Sequence, residues 1–199
     1  PTCQQHKAAQ WLAREQRKLL ACHYFLLTVT LPKPLQHIIR SHQRLGYAAL
    51  FSSTIAALKK LARDRRFLGT PLIGLVAVLH TWGAQLQYHP HLHLVIPGGG
   101  LSPDRSRWLS SRRDLFVHTK PLARIIRSKF RAALKSAGLL DEIDPQLWSQ
   151  EWVVDSQAVG GGETTLRYLS RYVFRLAISN HRILSCENHS VTFQYKDSH

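Results

Sequence analysis

The stretch LHTWGAQLQYHPHLHLVIPGGGLS (residues 79–102) decides how this chain is expected to fold. Residues 91–96 within it (HLHLVI) have the length of a strand and begin with histidine and leucine in alternation, and Pro97 and three glycines end the run. The preceding residues 72–82 (LIGLVAVLHTW) form a second apolar run of strand length. The two runs predict a pair of adjacent antiparallel strands.

Outside this pair, predicted strands and helices alternate along the chain. Strands are predicted at residues 23–31 and 151–159, and a closing hairpin at residues 183–184 and 191–195. Helices are predicted at residues 7–20, 34–45, 50–63, 122–137 and from Thr164 to about residue 178. Residues 102–117 are polar and basic and are interpreted as an insertion. This interleaving favours an α+β or α/β fold.

The charge of the chain points to a polyanionic partner. Its 199 residues include 27 Lys and Arg against 12 Asp and Glu, which gives a net charge of +15. Nucleic acid is favoured over a membrane surface, because the sequence contains no apolar run long enough to span a bilayer and no signal peptide. Three scattered cysteines indicate a reducing compartment. The lack of methionine predicts that the chain is a fragment of a longer protein.

The histidines of the first predicted pair form a candidate metal site. His91 and His93 share one face of a strand, about 7 Å apart in Cα position, so both imidazoles can bind one cation. His80 on the preceding strand is the third candidate ligand, ahead of Gln85, Gln87 and His89. A ligand set of histidines alone favours zinc. Twelve histidines in the chain also make an accidental pair of this spacing easy to obtain.

A pair of tyrosines defines a second candidate site. Tyr168 and Tyr172 are four residues apart and therefore share one face of the last predicted helix, with Arg171 and Arg175 beside them. Guanidinium groups next to phenol hydroxyls suit a phosphate substrate. Packing at the boundary of the core is the commoner role of such a tyrosine pair. The predicted apolar stripe of this helix consists of Leu166, Leu169, Val173 and Leu176.

Together these features resemble a known enzyme class, the HUH endonucleases, whose motif is His91-Leu92-His93 in this sequence. The strings at residues 79–102 and 166–179 (LRYLSRYVFRLAIS) resemble the two-tyrosine rolling-circle transposases of the insertion-sequence ninety-one family. The similarity extends over nearly the whole chain, including YFLLTVTLP (24–32) and VTFQYKD (191–197). It implies an α+β, ferredoxin-like antiparallel sheet with packed helices. In that fold the histidine motif lies on a central strand and the tyrosine helix packs across the sheet.

The resemblance also implies an activity and its residues. A transposase of this family cleaves and rejoins single-stranded DNA through a 5′-phosphotyrosine intermediate. By position, His91 and His93 would be metal ligands, and Tyr168 and Tyr172 would be nucleophiles. His80 would be the third ligand, because its interval of 11 residues resembles that of three-histidine HUH relaxases. The family implies Mg²⁺ or Mn²⁺ rather than Zn²⁺, with phosphate and water supplying the hard oxygen ligands.

The expected partner is single-stranded DNA at transposon ends. Basic residues of the last two predicted helices are expected to hold its backbone: Arg124, Arg127, Lys129, Arg131, Lys135, Arg167, Arg171 and Arg175. Residues 1–20 are interpreted as a basic helix with the remnant of an N-terminal zinc-binding module, and residues 21–199 as a catalytic domain truncated at its C-terminus. Only Cys3 of that module is present, so no structural zinc is expected there. We expect a bacterial cytoplasmic, nucleoid-associated protein with no membrane partner.

Three other functions are compatible with parts of the pattern. A non-catalytic single-strand-binding domain would account for the charge and the aromatic residues, but not for the histidine and tyrosine motifs. A metal-dependent hydrolase with water as its nucleophile would leave a free 5′-phosphate. An inactive transposase fragment would retain both motifs without activity.

Overall fold

The computed structural model describes residues 5–83, 85–173 and 182–195. The strands are β1 (Tyr24–Thr30), β2 (Val76–Trp82), β3 (Tyr88–Pro97), β4 (Gly99–Leu101), β5 (Trp108–Ser110), β6 (Val153–Ala158), β7 (Ile183–Glu187) and β8 (Ser190–Phe193). The helices are α1 (Gln5–Gln16), α2 (Lys33–Ser41), α3 (Gln43–Ala62), α4 (Thr119–Ser136) and α5 (Glu163–Val173), with a 3₁₀ turn at Pro145–Ser149.

Four strands form the central sheet in the order β2-β3-β1-β6, and every neighbouring pair is antiparallel. Helices α2 and α3 connect β1 to β2, and α4 lies between β3 and β6 in the chain. This β-α-β-β-α-β connectivity is the ferredoxin-like arrangement. The predicted α+β, ferredoxin-like fold is therefore confirmed, with the histidine strand β3 at the centre of the sheet.

Alternation along the strands gives the sheet two different faces. Phe25, Leu27 and Val29 of β1 are buried on one face, in the main apolar core with residues of α2, α3 and α4. Tyr24 of β1 and Val95 of β3 point to the other face, where a smaller apolar cluster joins α1 and α5. None of the described helices is long and apolar enough to cross a bilayer.

The predicted elements are present, with shifted boundaries. Strand β2 begins at Val76 rather than at residue 72, and β3 begins at Tyr88 rather than at residue 91. The two middle helices meet at His42, whose extended φ of −121° separates α2 from α3. The polar insertion contains β5, which pairs with β4. The predicted closing hairpin is the pair β7 and β8. Cys3 lies outside the described residues.

Close packing between α2 and α3 requires a glycine at position 46. Gly46 is buried inside α3, and a Cβ atom there would lie 2.5 Å from Cγ2 and 2.7 Å from Cδ1 of Ile39. Ile39 is 1% exposed, and close packing of the surrounding core restricts how far its side chain can move. The steric cost of a Cβ atom next to Ile39 therefore outweighs the gain in helix propensity that alanine would bring at this position.

We predict that Gly46→Ala lowers the free energy of unfolding by about 1–2 kcal/mol, since overpacking of about 1–3 kcal/mol exceeds the helix-propensity gain of up to about 1 kcal/mol. Urea denaturation measures this change. In an Ile39→Ala background, the same substitution should be neutral or stabilising, because the overlapping methyl groups are gone. An equal loss in both backgrounds would contradict the packing explanation.

Candidate metal centre and tyrosine helix

Strand pairing brings three histidines to one face of the sheet. His91 and His93 alternate with buried Leu92 along β3 and therefore point to the same side. In the antiparallel pair of β2 and β3, His80 lies directly opposite His91. The regular register of this pair ends after His80, where a bulge precedes Trp82. His80 is thus the last residue of β2 in regular register with β3.

The ring nitrogens of the three histidines converge. Nδ1 of His80 lies 3.2 Å from Nε2 of His91, and one ring nitrogen of each of His80, His91 and His93 lies within 4.8 Å of the others. Two nitrogens at about 2.1 Å from one cation are separated by about 3.0–3.4 Å in octahedral or tetrahedral coordination. The 3.2 Å separation between His80 and His91 matches this range, and the third nitrogen lies close enough that the three residues could together hold a divalent metal ion.

Hydrogen bonds orient two of the three imidazoles. Nδ1 of His91 donates to the backbone oxygen of His89 over 2.7 Å, which leaves Nε2 as the nitrogen with the free electron pair. Nδ1 of His93 lies 3.2 Å from the hydroxyl oxygen of Thr28 on β1. Contacts of this kind fix the tautomer and the ring orientation of metal-binding histidines.

The environment of the cluster favours neutral imidazoles. Burial, together with the smaller effects of the neighbouring His91 and His80, lowers the pKa of His93 to about 4. Burial also lowers the pKa of His91, against the opposing effect of its hydrogen bond to His89. A neutral imidazole offers an electron pair to a cation, so both residues are in the ligand form near neutral pH.

Helix α5 lies over the histidine face. It packs against β2, β3 and α1, and its Leu166 and Leu169 are 1% and 0% exposed in the smaller apolar cluster. The ring of Tyr168 meets the His93 imidazole edge-on, with 6.4 Å between ring centroids. Tyr168 remains 43% exposed, so an incoming substrate has access to it. The backbone thus places Tyr168 at the boundary between the smaller apolar cluster and the three histidines.

The structure describes the remaining predicted residues of this helix only in part. The backbone of Tyr172 belongs to α5, one helical turn after Tyr168. The side chains of Tyr172 and Arg171 lie outside the described part of the chain, as do Leu176 and all of Arg175. Arg167 is described, and its guanidinium forms an ion pair with Glu163 at 2.9 Å.

Tyr88, close to the histidines in sequence, has a different environment. Its hydroxyl forms a 2.9 Å hydrogen bond with the hydroxyl of Tyr47 on α3, and the guanidinium carbon of Arg40 lies 5.8 Å from the centre of its ring. Burial raises the pKa of Tyr88 strongly, and its hydrogen bond with Tyr47 also raises it. A phenol held in its protonated form in this way is a poor nucleophile.

The predicted basic residues of α4 do not adjoin the histidines. Leu122, Ile126 and Phe130 of α4 are fully buried in the main core, on the sheet face opposite His91 and His93. The predicted DNA-binding residues of this helix are therefore on the far side of the sheet from the histidine cluster: Arg124, Arg127, Lys129, Arg131 and Lys135.

The sequence interpretation missed Thr28. It lies opposite His93 in the antiparallel pair of β1 and β3, so its hydroxyl reaches the imidazole. The alternation in YFLLTVT indicates that Thr28 and Leu27 point to different faces. The partner across the strand depends on the register, which this alternation alone does not specify.

Known proteins similar to this chain are transposases. Residues 74–199 match a family described as "Putative transposase". The "Putative transposase y4qJ" of Sinorhizobium fredii (strain NBRC 101917 / NGR234) is 38% identical over 216 aligned positions, covering 99% of this chain and 54% of that protein. The "Transposase for insertion sequence element IS801" of Pseudomonas savastanoi pv. phaseolicola is 28% identical over 221 positions, covering 99% of this chain and 50% of that protein.

The chain spans about half the length of these curated relatives. No solved structure matches it. The family match covers residues 74–199, which is more than half of the chain and includes the three histidines and both tyrosines. The chain therefore belongs to the transposase family that is related to the insertion-sequence ninety-one and IS801 elements.

Proposed function

We propose that this protein is the catalytic core of a rolling-circle transposase, which cleaves and rejoins single-stranded DNA at the ends of an insertion sequence. The observation that carries the proposal is the edge-on contact between the ring of Tyr168 and the imidazole of His93, at 6.4 Å between centroids. A phenol nucleophile needs a positively charged partner near the phosphate that it attacks. Here the accessible tyrosine adjoins a group of three histidines that fits a cation.

His80, His91 and His93 would hold the metal ion, which we propose to be Mg²⁺ or Mn²⁺. A bound cation would offset negative charge on the scissile phosphate. Three imidazoles alone match zinc by donor type, but phosphate and water oxygens complete a set suited to the harder ions. Thr28 would orient His93 through the contact at its Nδ1.

Tyr168 and Tyr172 are the proposed nucleophiles. The oxygen of one phenol, having lost its proton, forms a bond to phosphorus. The bond from phosphorus to the 3′ oxygen breaks, and that oxygen takes up a proton, which leaves a 5′-phosphotyrosine and a free 3′-hydroxyl. The covalent link conserves the energy of the phosphodiester, so the strand can be rejoined elsewhere. A second tyrosine one turn away on α5 allows a second transfer while the first end is still attached.

Arg171 and Arg175 are proposed to hold the DNA backbone beside the tyrosines, by their position on the same segment. Arg167 is proposed to join them when it exchanges its exposed pairing with Glu163 for a phosphate, since an exposed ion pair of this kind contributes little stability. These contacts position the strand and carry no information about its base sequence.

The metal proposal predicts that His91→Ala combined with His93→Ala removes Mn²⁺ binding measured by calorimetry. His80→Ala should weaken binding less, because water can replace one ligand. His37→Ala is the matched control, because His37 is exposed on α2 and distant in sequence from all three. Unchanged Mn²⁺ affinity in the double variant would refute the site.

The orientation of His93 predicts a graded effect at position 28. Thr28→Val removes the hydroxyl with little change of shape and should weaken Mn²⁺ binding about tenfold, the lower end of the range for lost partners of metal ligands. Thr28→Ser retains a hydroxyl and should bind nearly as the unmodified protein does. If the two variants have equal affinities, the hydroxyl does not orient His93.

The nucleophile proposal predicts a covalent protein–DNA adduct on α5. With Mn²⁺ and an oligonucleotide from an element end, the unmodified protein should form an adduct that persists on a denaturing gel. Tyr168→Phe combined with Tyr172→Phe should form none, yet should still bind the strand, whereas Tyr195→Phe should behave as the unmodified protein. Mass spectrometry should locate the nucleotide on Tyr168 or Tyr172. A free 5′-phosphate without any adduct would instead indicate water as the nucleophile.

A further inference from the structure

A pocket lies on the side of the sheet opposite the histidines, where α4 meets β6 and the segment before it. Its volume is about 300 Å³, at the lower end of the roughly 300–1,000 Å³ typical of ligand sites. The residues that give the pocket its chemistry are Thr119, Lys120, Arg124, Arg127, Glu151 and Trp152. Three cations thus face one acid, which gives the pocket a net positive charge.

Two of the three cations are available to an anion. Lys120 and Arg124 are exposed one helical turn apart on α4, and neither forms an ion pair with any described residue. Arg127 is held in place, because its guanidinium donates to the backbone oxygens of Ser149 and Gln150 over 3.4 and 3.1 Å. A guanidinium has five N–H donors, so these two bonds leave others for a ligand.

Trp152 gives the pocket a rigid wall. Its ring packs edge-on against Phe130 of α4, at 5.1 Å between centroids, and 95% of the residue is buried (5% exposed). Its indole Nε1 is buried without a hydrogen-bond acceptor in the described part of the chain. A buried donor without an acceptor is costly. An anion in this pocket would bring acceptor oxygens to the same wall.

A groove lies next to this pocket. The groove has a volume of about 590 Å³, and its lining includes Thr30, His89, Gln150, Glu151 and Val153. Glu151 lines both the groove and the pocket. Thr30 of the groove is paired with His91 on one side and with Val153 on the other. The groove therefore borders the pocket of α4 through Glu151 and borders the strand positions next to the histidine cluster through Thr30 and His89.

We propose that this pocket binds backbone phosphates of the single strand that leaves the histidine cluster along the groove. This inference rests on the proposed function, which supplies the strand, and it adds a second contact site at a distance from the reacting phosphate. Lys120, Arg124 and Arg127 contact the phosphates, and the site reads no base sequence. A guanidinium held in a fixed orientation and a neighbouring ammonium group are well suited to bind phosphate.

The proposal divides the basic residues of α4 into two groups. Arg124 and Arg127 line the pocket together with Lys120. Lys129, Arg131 and Lys135 line neither the pocket nor the groove among the described residues, and the guanidinium of Arg131 lies over the ring of Trp148 at 5.9 Å. The N-terminal half of the helix therefore binds DNA. The C-terminal half contributes only to the positive electrostatic potential of the protein surface.

The test compares two double variants that remove the same charge from one helix. Lys120→Ala with Arg124→Ala empties the pocket of its exposed cations, and Arg131→Ala with Lys135→Ala is the matched control. Binding of a fluorescent oligothymidylate of about 20 nucleotides, longer than most single-strand sites, is measured in EDTA so that no strand is cut. Circular dichroism and thermal melting verify that both variants fold.

The pocket variant should bind the long strand about tenfold more weakly, and its log–log salt slope should be smaller by about 1.4, since each phosphate contact contributes about 0.7. The control variant should keep both the affinity and the slope close to those of the unmodified protein. A strand of about 4 nucleotides, at the lower limit of such sites, should bind all three proteins alike.

Equal losses in the two variants, or no loss in either, would overturn the pocket while leaving the proposed function intact. If the unmodified protein forms its tyrosine adduct but the pocket variant binds the long strand normally, the inference alone fails. If the unmodified protein neither binds single strands nor forms an adduct, the proposed function fails first.

Discussion

The pairing of β2 with β3 is the constraint on which the site depends. His80 and His91 meet because they are directly opposite in the register, and His93 joins them because it is two residues further along the same strand. A slip of β2 by one residue would turn His80 to the main core and an apolar residue towards His91 and His93. Ala77 and Leu79 of β2 oppose such a slip, since both pack against the main core and would leave it. The apolar face therefore fixes the geometry of the polar face.

The two faces of the sheet have different roles, and they are packed to different extents. The main core between the sheet and α2, α3 and α4 contains most of the fully buried side chains of the described chain. The histidine face has only a small apolar cluster around Val78, Val95 and Tyr24, and its other positions carry imidazoles and hydroxyls. Burial holds the imidazoles neutral, as the lowered pKa of His93 indicates. Stability thus comes mainly from one side of the sheet, and the other side is free to carry polar chemistry.

Much of this arrangement could be predicted from local patterns, and the rest depends on contacts distant in sequence. Alternation placed His91 and His93 on one face, and helical spacing placed Leu166 and Leu169 in the core. The contact of Thr28 with His93 depends on the β1–β3 register, which has no local signal. The position of α4 depends likewise on the crossover between β3 and β6. A basic amphipathic helix looks the same on either side of a sheet, so its charge alone did not indicate that it lies away from the histidines.

The placement of Tyr168 depends on the packing of two helices rather than on the sheet alone. Leu166 and Leu169 anchor α5 in the small cluster, and Trp11 and Leu12 of α1 pack against that same cluster. Helix α1 thus helps to hold α5 in place, although the two helices are far apart in sequence. Because this cluster is small, it holds α5 by fewer apolar contacts than those that hold α4. Elements with few buried contacts open at lower free energy than core elements. A helix held in this way is suited to the proposed function, in which a DNA strand enters between Tyr168 and the three histidines.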